Sequence, residues 1–278
     1  MGRTSVGRFL FVIGVVASAS LAQAQVLYEQ TFLHPGMGAG DLPLTTYGWT
    51  TAAPGGYSGS YSGDFDPMGL RWVATNDPIN GNSAAYVGTG GPVDDLLVMI
   101  FTTEGAANNG GFDNSIDPSQ CLQCYLTTFV QPGPNGADED FSYFAVRVRD
   151  GADERAESFW YIATDPMETP TATGALFNYR VLDFHTASWD DLTVDETGAT
   201  NPTRGATVGV LPAGLVINGV GLVSSLTNPA PNMDFSNPEA FGGFNYADYR
   251  ILCVPEPTSV ALAVFAMGVL FCMRRKVS

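Results

Sequence analysis

The sequence predicts an all-β protein, an antiparallel β-sandwich flanked by an N-terminal signal peptide and a C-terminal single transmembrane helix. Three observations lead to the sandwich. From Gln25 onward, runs rich in β-branched and aromatic residues alternate with turns rich in Gly, Pro, Asn and Asp. Several runs show a period of two, as strands with one buried face do. No helical period competes with them in residues 25–253.

The strand pattern is clearest around residues 141–149, where one side is apolar and the other carries Arg147 and Arg149. Such alternation is expected of a sheet with one wet face. Eight to twelve short strands joined by Gly/Pro turns favour two packed sheets, with jelly-roll order as the best prediction. The predicted strands are 26–33, 70–74, 84–87, 96–103, 121–130, 141–149, 158–163, 176–184, 215–224 and 246–253.

Residues 1–24 are predicted to be a secretory signal peptide. Arg3 and Arg8 form a charged front, residues 9–21 are apolar, and residues 22–24 read Ala-Gln-Ala, a small-residue cleavage pattern. The mature chain is therefore expected to begin at Gln25. This leaves residues 25–253 as one β-sandwich domain.

The domain is strongly acidic. The whole chain has 28 acidic and 12 basic residues, and five of the basic residues lie in the terminal segments. Residues 25–253 keep 27 acids against seven arginines and contain no lysine. Such a surface repels nucleic acid and anionic membranes but not cations or neutral polymers. Nucleic acid is thus excluded as a partner.

Three cysteines lie in or beside the predicted strands. Cys121 and Cys124 form a CxxC pair, and Cys253 stands near the C-terminal end of the domain. An exported protein meets oxidising conditions, and no second cysteine pair or histidine cluster completes a zinc site. We expect a local disulfide between Cys121 and Cys124. The alternative is that Cys253 is bridged to one member of the pair.

Two groups of aromatic residues are candidates for contact with a ligand. Tyr57 and Tyr61 lie among glycines and serines in the loop 53–68, as rigid aromatic residues do in recognition loops. Trp189 is followed by Asp190 and Asp191, so that an indole face is next to hydrogen-bond acceptors. The alternatives are that the loop 53–68 is a Gly/Ser loop without a role and that Trp189 is a core residue. Trp49, beside Tyr47, offers a second grouping of the same kind as that of Trp189. Trp72 and Trp160 lie inside predicted strands and are expected to be core residues.

The sequence offers little for catalysis, and no catalytic residue is assigned. His34 and His185 are the only imidazoles, and the segment Gly59 to Gly63 has Tyr61 where the nucleophile of a G-x-S-x-G elbow would stand. Glycoside hydrolysis needs only two facing carboxylates, which an acidic domain can supply. A polysaccharide-acting hydrolase is therefore the alternative to a non-enzymatic protein.

The last 25 residues divide into three parts. Val254, Pro255, Glu256 and Pro257 form an extended joint, because proline cannot continue a strand or a helix. Residues 258–273 are apolar and would form a helix of about 24 Å, slightly shorter than the hydrocarbon layer of about 30 Å. Residues 274–276 are Arg-Arg-Lys and should stay on the cytoplasmic side.

This arrangement resembles the PEP-CTERM sorting signal of exported bacterial proteins. The resemblance covers the motif 254–257, the short helix 258–273 and the basic end 274–276. It implies processing near the motif by an exosortase-type enzyme and transfer to the cell surface or an exopolysaccharide matrix. Before processing, the helix would hold the protein in the membrane. The resemblance is silent about what the domain does.

The domain itself resembles jelly-roll carbohydrate-binding modules in its first and last strands, residues 28–32 and 246–253. In those modules a structural calcium often ties the two strands together. Glu29 and Asp248 are the positions that would correspond, so Ca²⁺ is the one cofactor that the resemblance implies. No EF-hand spacing is present.

These observations predict an exported, non-enzymatic surface or matrix protein that is structural or contacts a glycan. A hydrolase is the alternative. An ice-binding surface protein comes third, because a flat array of regularly spaced threonines is missing.

Overall fold

The computed structural model describes residues 24–32, 44–52, 70–76, 83–89, 96–105, 112, 115–132, 141–151, 153, 155–167, 178–197, 200–226 and 242–255. In this part of the chain, thirteen strands form two antiparallel sheets, which confirms the all-β prediction. Short 3-10 helices lie at Leu44–Tyr47 and Pro118–Gln120. The strands are β1 Gln25–Gln30, β2 Thr50–Ala52, β3 Leu70–Asn76, β4 Ser83–Thr89, β5 Leu96–Thr103, β6 Cys121–Pro132, β7 Phe141–Asp150, β8 Phe159–Ala163, β9 Asn178–Asp183, β10 Trp189–Thr193, β11 Thr203–Gly209, β12 Leu215–Leu226 and β13 Gly242–Pro255.

The six-stranded sheet is organised around β13. Its order is β3-β4-β13-β6-β9, and β1 also pairs with β13. β4 pairs with residues 242–246 of β13 and β1 pairs with residues 249–253, so both occupy the same edge of one long strand. Between the two stretches lies Asp248, whose φ is 60°. This left-handed residue adds the irregularity that separates the two partners.

The seven-stranded sheet has the order β11-β10-β8-β7-β12-β5-β2. Its centre is β12, which pairs with β7 on one side and β5 on the other. Gly221 of β12 lies under Met99, since a Cβ at this position would be only 3.0 Å from the Ile100 carbonyl oxygen and closer still to Met99 Cε. A glycine in a strand interior often marks such a close approach.

The two sheets enclose the main core. Trp49 packs against Phe32 and Tyr249, with ring centroids 5.1 and 5.6 Å apart. A buried hydrogen-bond network also joins the sheets, because the Tyr246 hydroxyl of β13 lies 2.8 Å from the hydroxyls of Ser142 on β7 and Ser224 on β12. Satisfied polar groups of this kind specify how two apolar faces meet.

A second apolar cluster lies on the far face of the seven-stranded sheet. Its members alternate with the core residues along the same strands, and they include Met99, Phe101, Tyr143, Trp160 and Val223. All five are at most 8% exposed. The central strands of this sheet are therefore buried on both faces, whereas the six-stranded sheet has one half-exposed face.

Three strands of the structure were not predicted from the sequence, namely β2, β10 and β11. β2 has only three residues, and β10 and β11 carry polar residues that resemble a loop. Pairing makes them strands, because β2 pairs with β5, β10 with β8, and β11 with β10. β13 also extends two residues beyond the predicted end, since Val254 and Pro255 pair with Gln123 and Cys121.

The terminal predictions lie almost wholly outside the described residues. The signal peptide, the apolar segment 258–273 and the basic end 274–276 are among the residues that the structure does not describe. No helix within the described ranges is long and apolar enough to cross a bilayer.

Candidate functional site

Trp189 is a core residue, contrary to the expectation that it contacts a ligand. It is the first residue of β10, its side chain is fully buried, and its ring lies 5.8 Å from that of Phe184. Successive residues of a strand point to opposite faces of the sheet. Trp189 therefore enters the space between the sheets, and Asp190 points to the far face.

Asp190 is occupied by contacts within the protein. It is 4% exposed and is paired with the Arg204 guanidinium, and Thr164 Oγ1 donates a hydrogen bond to its Oδ1 at 2.9 Å. Burial alone would raise the pKa of Asp190, but hydrogen bonds from Thr207, Arg204 and Thr164 outweigh it and lower the pKa. Asp191 is exposed. Of the three ligand-binding residues predicted in this segment, Trp189 thus lies in the core, Asp190 is held in an ion pair, and only Asp191 is on the surface.

The other aromatic residues named from the sequence do not form an exposed site among the described residues either. Trp49 is fully buried, and Tyr47 is 9% exposed in the adjoining 3-10 helix. Tyr57 and Tyr61 lie in a loop outside the described residues. Trp160 is buried, as expected, and its Nε1 donates a hydrogen bond to Glu196 Oε1 at 2.8 Å. Trp72 lies in β3.

Glu29 and Asp248 lie close together, as the calcium prediction requires, but both contact the side chain of Arg250. Glu29 lies opposite Arg250 in the β1–β13 ladder, and its Oε1 is 2.8 Å from Arg250 Nε. Asp248 Oδ2 is 2.8 Å from Arg250 Nη2. The guanidinium supplies the positive charge where the resemblance implied calcium. Within the ranges that the structure describes, no group of three or more His, Cys, Asp or Glu residues could hold a metal ion.

The predicted Cys121–Cys124 disulfide is wrong. Cys121 is bonded to Cys253 instead, with Cα atoms 5.3 Å apart, and Cys124 is a buried free thiol. In the β6–β13 ladder, Cys253 lies opposite Cys124, and a register shift at the strand end brings Cys121 opposite Pro255. Burial and the nearby Asp183 carboxylate raise the pKa of Cys124 to about 12. The bridge therefore ties the start of β6 to the end of β13.

The outer face of the six-stranded sheet brings together three aromatic side chains that are half-buried or exposed. We call it the aromatic face and define it by Tyr125, Phe129, Tyr179, Arg250 and Glu29. Phe129 and Tyr179 are opposite one another in the β6–β9 ladder, with ring centroids 5.0 Å apart. Tyr179 is 48% exposed. Tyr125 lies on the same face, two rows further along β6.

Polar groups alternate with the aromatic rows. Arg250 lies opposite Thr127, between the rows of Phe129 and Tyr125, and it carries the Glu29 and Asp248 contacts. Rows on one face of a sheet are about 7 Å apart. On the other side of Phe129, the amide of Asn245 donates to Gln131 Oε1 at 3.4 Å.

The aromatic face combines flat apolar rings with hydrogen-bonding groups one row away. Rings of this kind stack on other flat or ring-shaped apolar surfaces, and the amides and charged groups can satisfy hydroxyls beside them. The sequence pattern predicts β6 and β9 as strands, but it does not single out Tyr125, Phe129 or Tyr179. The spacing of Tyr125 and Phe129 at positions i and i+4 of a strand does indicate that they share one face. Their proximity to Tyr179 depends on the pairing of β6 with β9, which the sequence does not reveal.

No family model matches the chain. No curated protein matches it either.

Among solved structures, three similar chains contain carbohydrate-binding modules. The first is the CBM22-1 and GH10 modules of a Clostridium thermocellum N-terminal endo-1,4-β-D-xylanase complexed with xylohexaose, with TM-score 0.39 and 11% identity, covering 83% of this chain and 29% of that one. The second is the CBM22-1 xylan-binding domain of a Paenibacillus barcinonensis protein, with TM-score 0.35 and 10% identity, covering 84% and 97%.

The third is CBM27-1 of Caldicellulosiruptor saccharolyticus in complex with mannohexaose, with TM-score 0.28 and 9% identity, covering 76% of this chain and 94% of that one. This chain thus spans less than a third of the xylanase structure. At these TM-scores the similarity is one of outline, and the function of this chain has to be argued from its own residues.

Proposed function

We propose that the protein is an exported, non-enzymatic surface or matrix protein whose β-sandwich contacts a polysaccharide through the aromatic face. The observation that carries the proposal is the pair formed by the half-buried Phe129 and the exposed Tyr179, which lies on a half-exposed sheet face next to hydrogen-bonding side chains. A soluble sheet has no need of paired aromatic rings on its wet side. Sugar rings offer the matching apolar faces and hydroxyl edges.

A neutral polysaccharide fits this face better than an anionic one. The chain has a formal net charge of −16, and the Arg250 guanidinium is already shared by Glu29 and Asp248. An anionic polymer would be repelled by the acidic chain, and Arg250, the cation among the five residues that define the aromatic face, is already paired. We therefore expect binding to xylan- or mannan-like polymers and none to polyuronates.

The terminal segments support the location. We propose that residues 1–24 direct export and that residues 254–278 act as a PEP-CTERM-type tail processed by an exosortase-type enzyme. The motif starts where β13 ends, because Val254 and Pro255 are the last residues of that strand. Removal of the chain after Pro255 would leave the strand and its disulfide to Cys121 intact.

Binding is tested by replacing Tyr179 and Phe129 with alanine. Loss of a stacking ring should cost about 1 kcal/mol, so each variant should bind insoluble xylan or mannan roughly five- to tenfold more weakly. Phe159→Ala is the matched control, because Phe159 is 53% exposed but belongs to the other sheet. Undiminished binding in the Tyr179→Ala and Phe129→Ala variants would contradict the proposal that the aromatic face binds the polysaccharide.

The hydrolase alternative is tested by measuring whether the protein shortens the polysaccharide. A binding protein leaves xylan and mannan unchanged in chain length after long incubation. Release of reducing ends that disappears in a heat-denatured control would support the hydrolase instead.

Export and sorting are tested by mass spectrometry of the protein from surface or matrix material. We expect an N-terminus at Gln25 and a C-terminus near Pro255. Recovery of a chain that still carries residues 258–278 would contradict the sorting proposal.

A further inference from the structure

A cleft of about 490 Å³ opens beside the Cys121–Cys253 disulfide, at the end of the sandwich and away from the aromatic face. Its apolar lining residues, which we call the apolar wall, are Leu27, Tyr28, Phe112 and Ile116. Its polar lining residues, which we call the polar wall, are Gln25, Ser115, Asp117 and Gln120. Small-molecule sites commonly have this volume and this mixture of aromatic side chains with a few polar groups.

The apolar wall is aromatic at its centre. Tyr28 and Phe112 lie with ring centroids 4.9 Å apart, at an angle of 38°. Trp49 Nε1 donates a hydrogen bond to the Tyr28 hydroxyl at 3.0 Å, which holds that ring in place. The wall is therefore fixed before any ligand arrives, and a fixed wall loses little freedom on binding.

The polar wall has a carboxylate that is held by its neighbours. Asp117 Oδ1 accepts hydrogen bonds from the Ser119 backbone nitrogen at 2.9 Å and the Ser119 hydroxyl at 2.6 Å, and Oδ2 accepts one from Gln120 Nε2 at 3.1 Å. The Ser119 hydrogen bond is the largest influence on the pKa of Asp117 and lowers it, against the opposing effect of burial. The group is a carboxylate at neutral pH.

Ser115 completes this wall. Arg149 Nη2 donates a hydrogen bond to the Ser115 hydroxyl at 3.3 Å, which leaves the hydroxyl hydrogen to be donated elsewhere. No lysine or arginine is among the described residues that line the cleft. The lining therefore offers a carboxylate, two amides and a hydroxyl, and it disfavours anions.

We propose that this cleft is a second carbohydrate site, which takes a neutral mono- or disaccharide with its apolar ring face on Tyr28, whose ring packs against the buried Phe112, and its hydroxyls on Asp117 and Gln120. The proposal does not depend on the aromatic face, because no residue is shared between the two. A cleft of this size holds one or two sugar units, whereas the sheet face is open at both ends. The cleft thus suits a short sugar or the end of a chain.

The test uses the full chain and three probes, cellobiose, mannobiose and glucuronic acid, observed by saturation-transfer NMR. We expect transfer to at least one disaccharide and none to glucuronic acid. Gln120→Trp should fill the cleft and weaken disaccharide binding at least tenfold. Gln120 is exposed on a short 3-10 helix, so the melting temperature should stay unchanged.

Two further variants distinguish the sites. Tyr179→Ala, on the aromatic face, should keep disaccharide binding. Asp117→Asn removes the negative charge but keeps an oxygen that can accept the Ser119 hydrogen bonds, so it should allow glucuronic acid to bind. The proposal is overturned if the wild type binds neither disaccharide, or if binding survives Gln120→Trp. Loss of disaccharide binding in Tyr179→Ala but not in Gln120→Trp would assign all binding to the aromatic face.

Discussion

Trp189 shows how far one residue's neighbours in the sequence can mislead. Two aspartates follow it, which is typical of an exposed polar segment, yet its indole is fully buried. In a strand, the next residue points the other way, so the polarity of Asp190 carries no information about the surroundings of Trp189. The three residues share a segment of chain but not a surface.

Trp189→Ala should therefore destabilise the fold. Removing a buried tryptophan leaves a cavity between the sheets and costs about 3–5 kcal/mol of unfolding free energy. Chemical denaturation of the variant measures this cost, with Phe159→Ala as the exposed control, for which we expect a change of less than about 0.5 kcal/mol. A small effect at Trp189 together with weakened glycan binding would restore the idea that it contacts ligand.

Tyr249 and Cys124 are buried acids whose ionisation opposes folding at high pH. Burial, followed by the neighbouring Tyr28 and Cys124, raises the pKa of Tyr249 well above 10.0. The pKa of Cys124 is raised from 9.0 to about 12, mainly by burial. Each group is more acidic when the chain unfolds, so its contribution to stability is complete below the pKa of the unfolded state. It is then lost progressively as the pH rises from that value through the higher pKa of the folded state.

We expect the free energy of unfolding to fall from about pH 9 upward. At pH 11 the Tyr249 contribution alone should be a loss of about 1 kcal/mol. Tyr249→Phe removes this acid, and the Tyr249 hydroxyl has no hydrogen-bond partner among the described residues, so stability at pH 7 should be retained. Melting curves at pH 7, 9.5 and 11 for both proteins make the comparison. An equal loss in both would show that other groups control alkaline unfolding.

β13 joins more parts of the molecule than any other described strand. It pairs with β1, β4 and β6, and its last residues reach the predicted sorting motif. Its fourteen residues are enough for two partners on one edge, with Asp248 at the break. The disulfide at Cys253 then fixes the end of the strand, where fraying would otherwise begin.

The disulfide should stabilise the domain strongly, because it joins residues 132 positions apart. Replacement of both Cys121 and Cys253 by serine should cost about 2–4 kcal/mol. Peptide mapping after alkylation of the unfolded, unreduced protein checks the pairing. We expect a label on Cys124 and none on Cys121 or Cys253. A peptide in which Cys121 is linked to Cys124 would contradict the assignment.

The whole molecule is asymmetric between its two sheets. The seven-stranded sheet carries apolar clusters on both faces, so it contributes mainly to stability. The six-stranded sheet has one face in the core and one half-exposed face with aromatic and charged residues. The proposed binding surface therefore lies on the sheet that leaves one face open without losing its core. The acidic charge of the chain then selects against anionic ligands for either proposed site.

Most strands were readable from the sequence because their signals are local. Alternation and turn residues act over a few positions, so each of the ten predicted strands corresponds to a strand of the structure. Their ends differ by at most four residues, the largest difference being at the start of β13, which is Gly242 where residue 246 was predicted. The acidic charge and the pattern of the two termini are likewise properties of composition and order. The short or polar strands β2, β10 and β11 were missed because only their partners make them strands.

The face that each strand presents, the partner of each cysteine and the candidate sites depend on contacts between distant residues. Cys253 is opposite Cys124 but bonded to Cys121, and Glu29 meets Arg250 from 221 positions away. Alternation separates two faces of a strand, but register and sheet packing determine which face is buried. The energies that settle register arise only when the strands meet, so no stretch of the sequence encodes them locally.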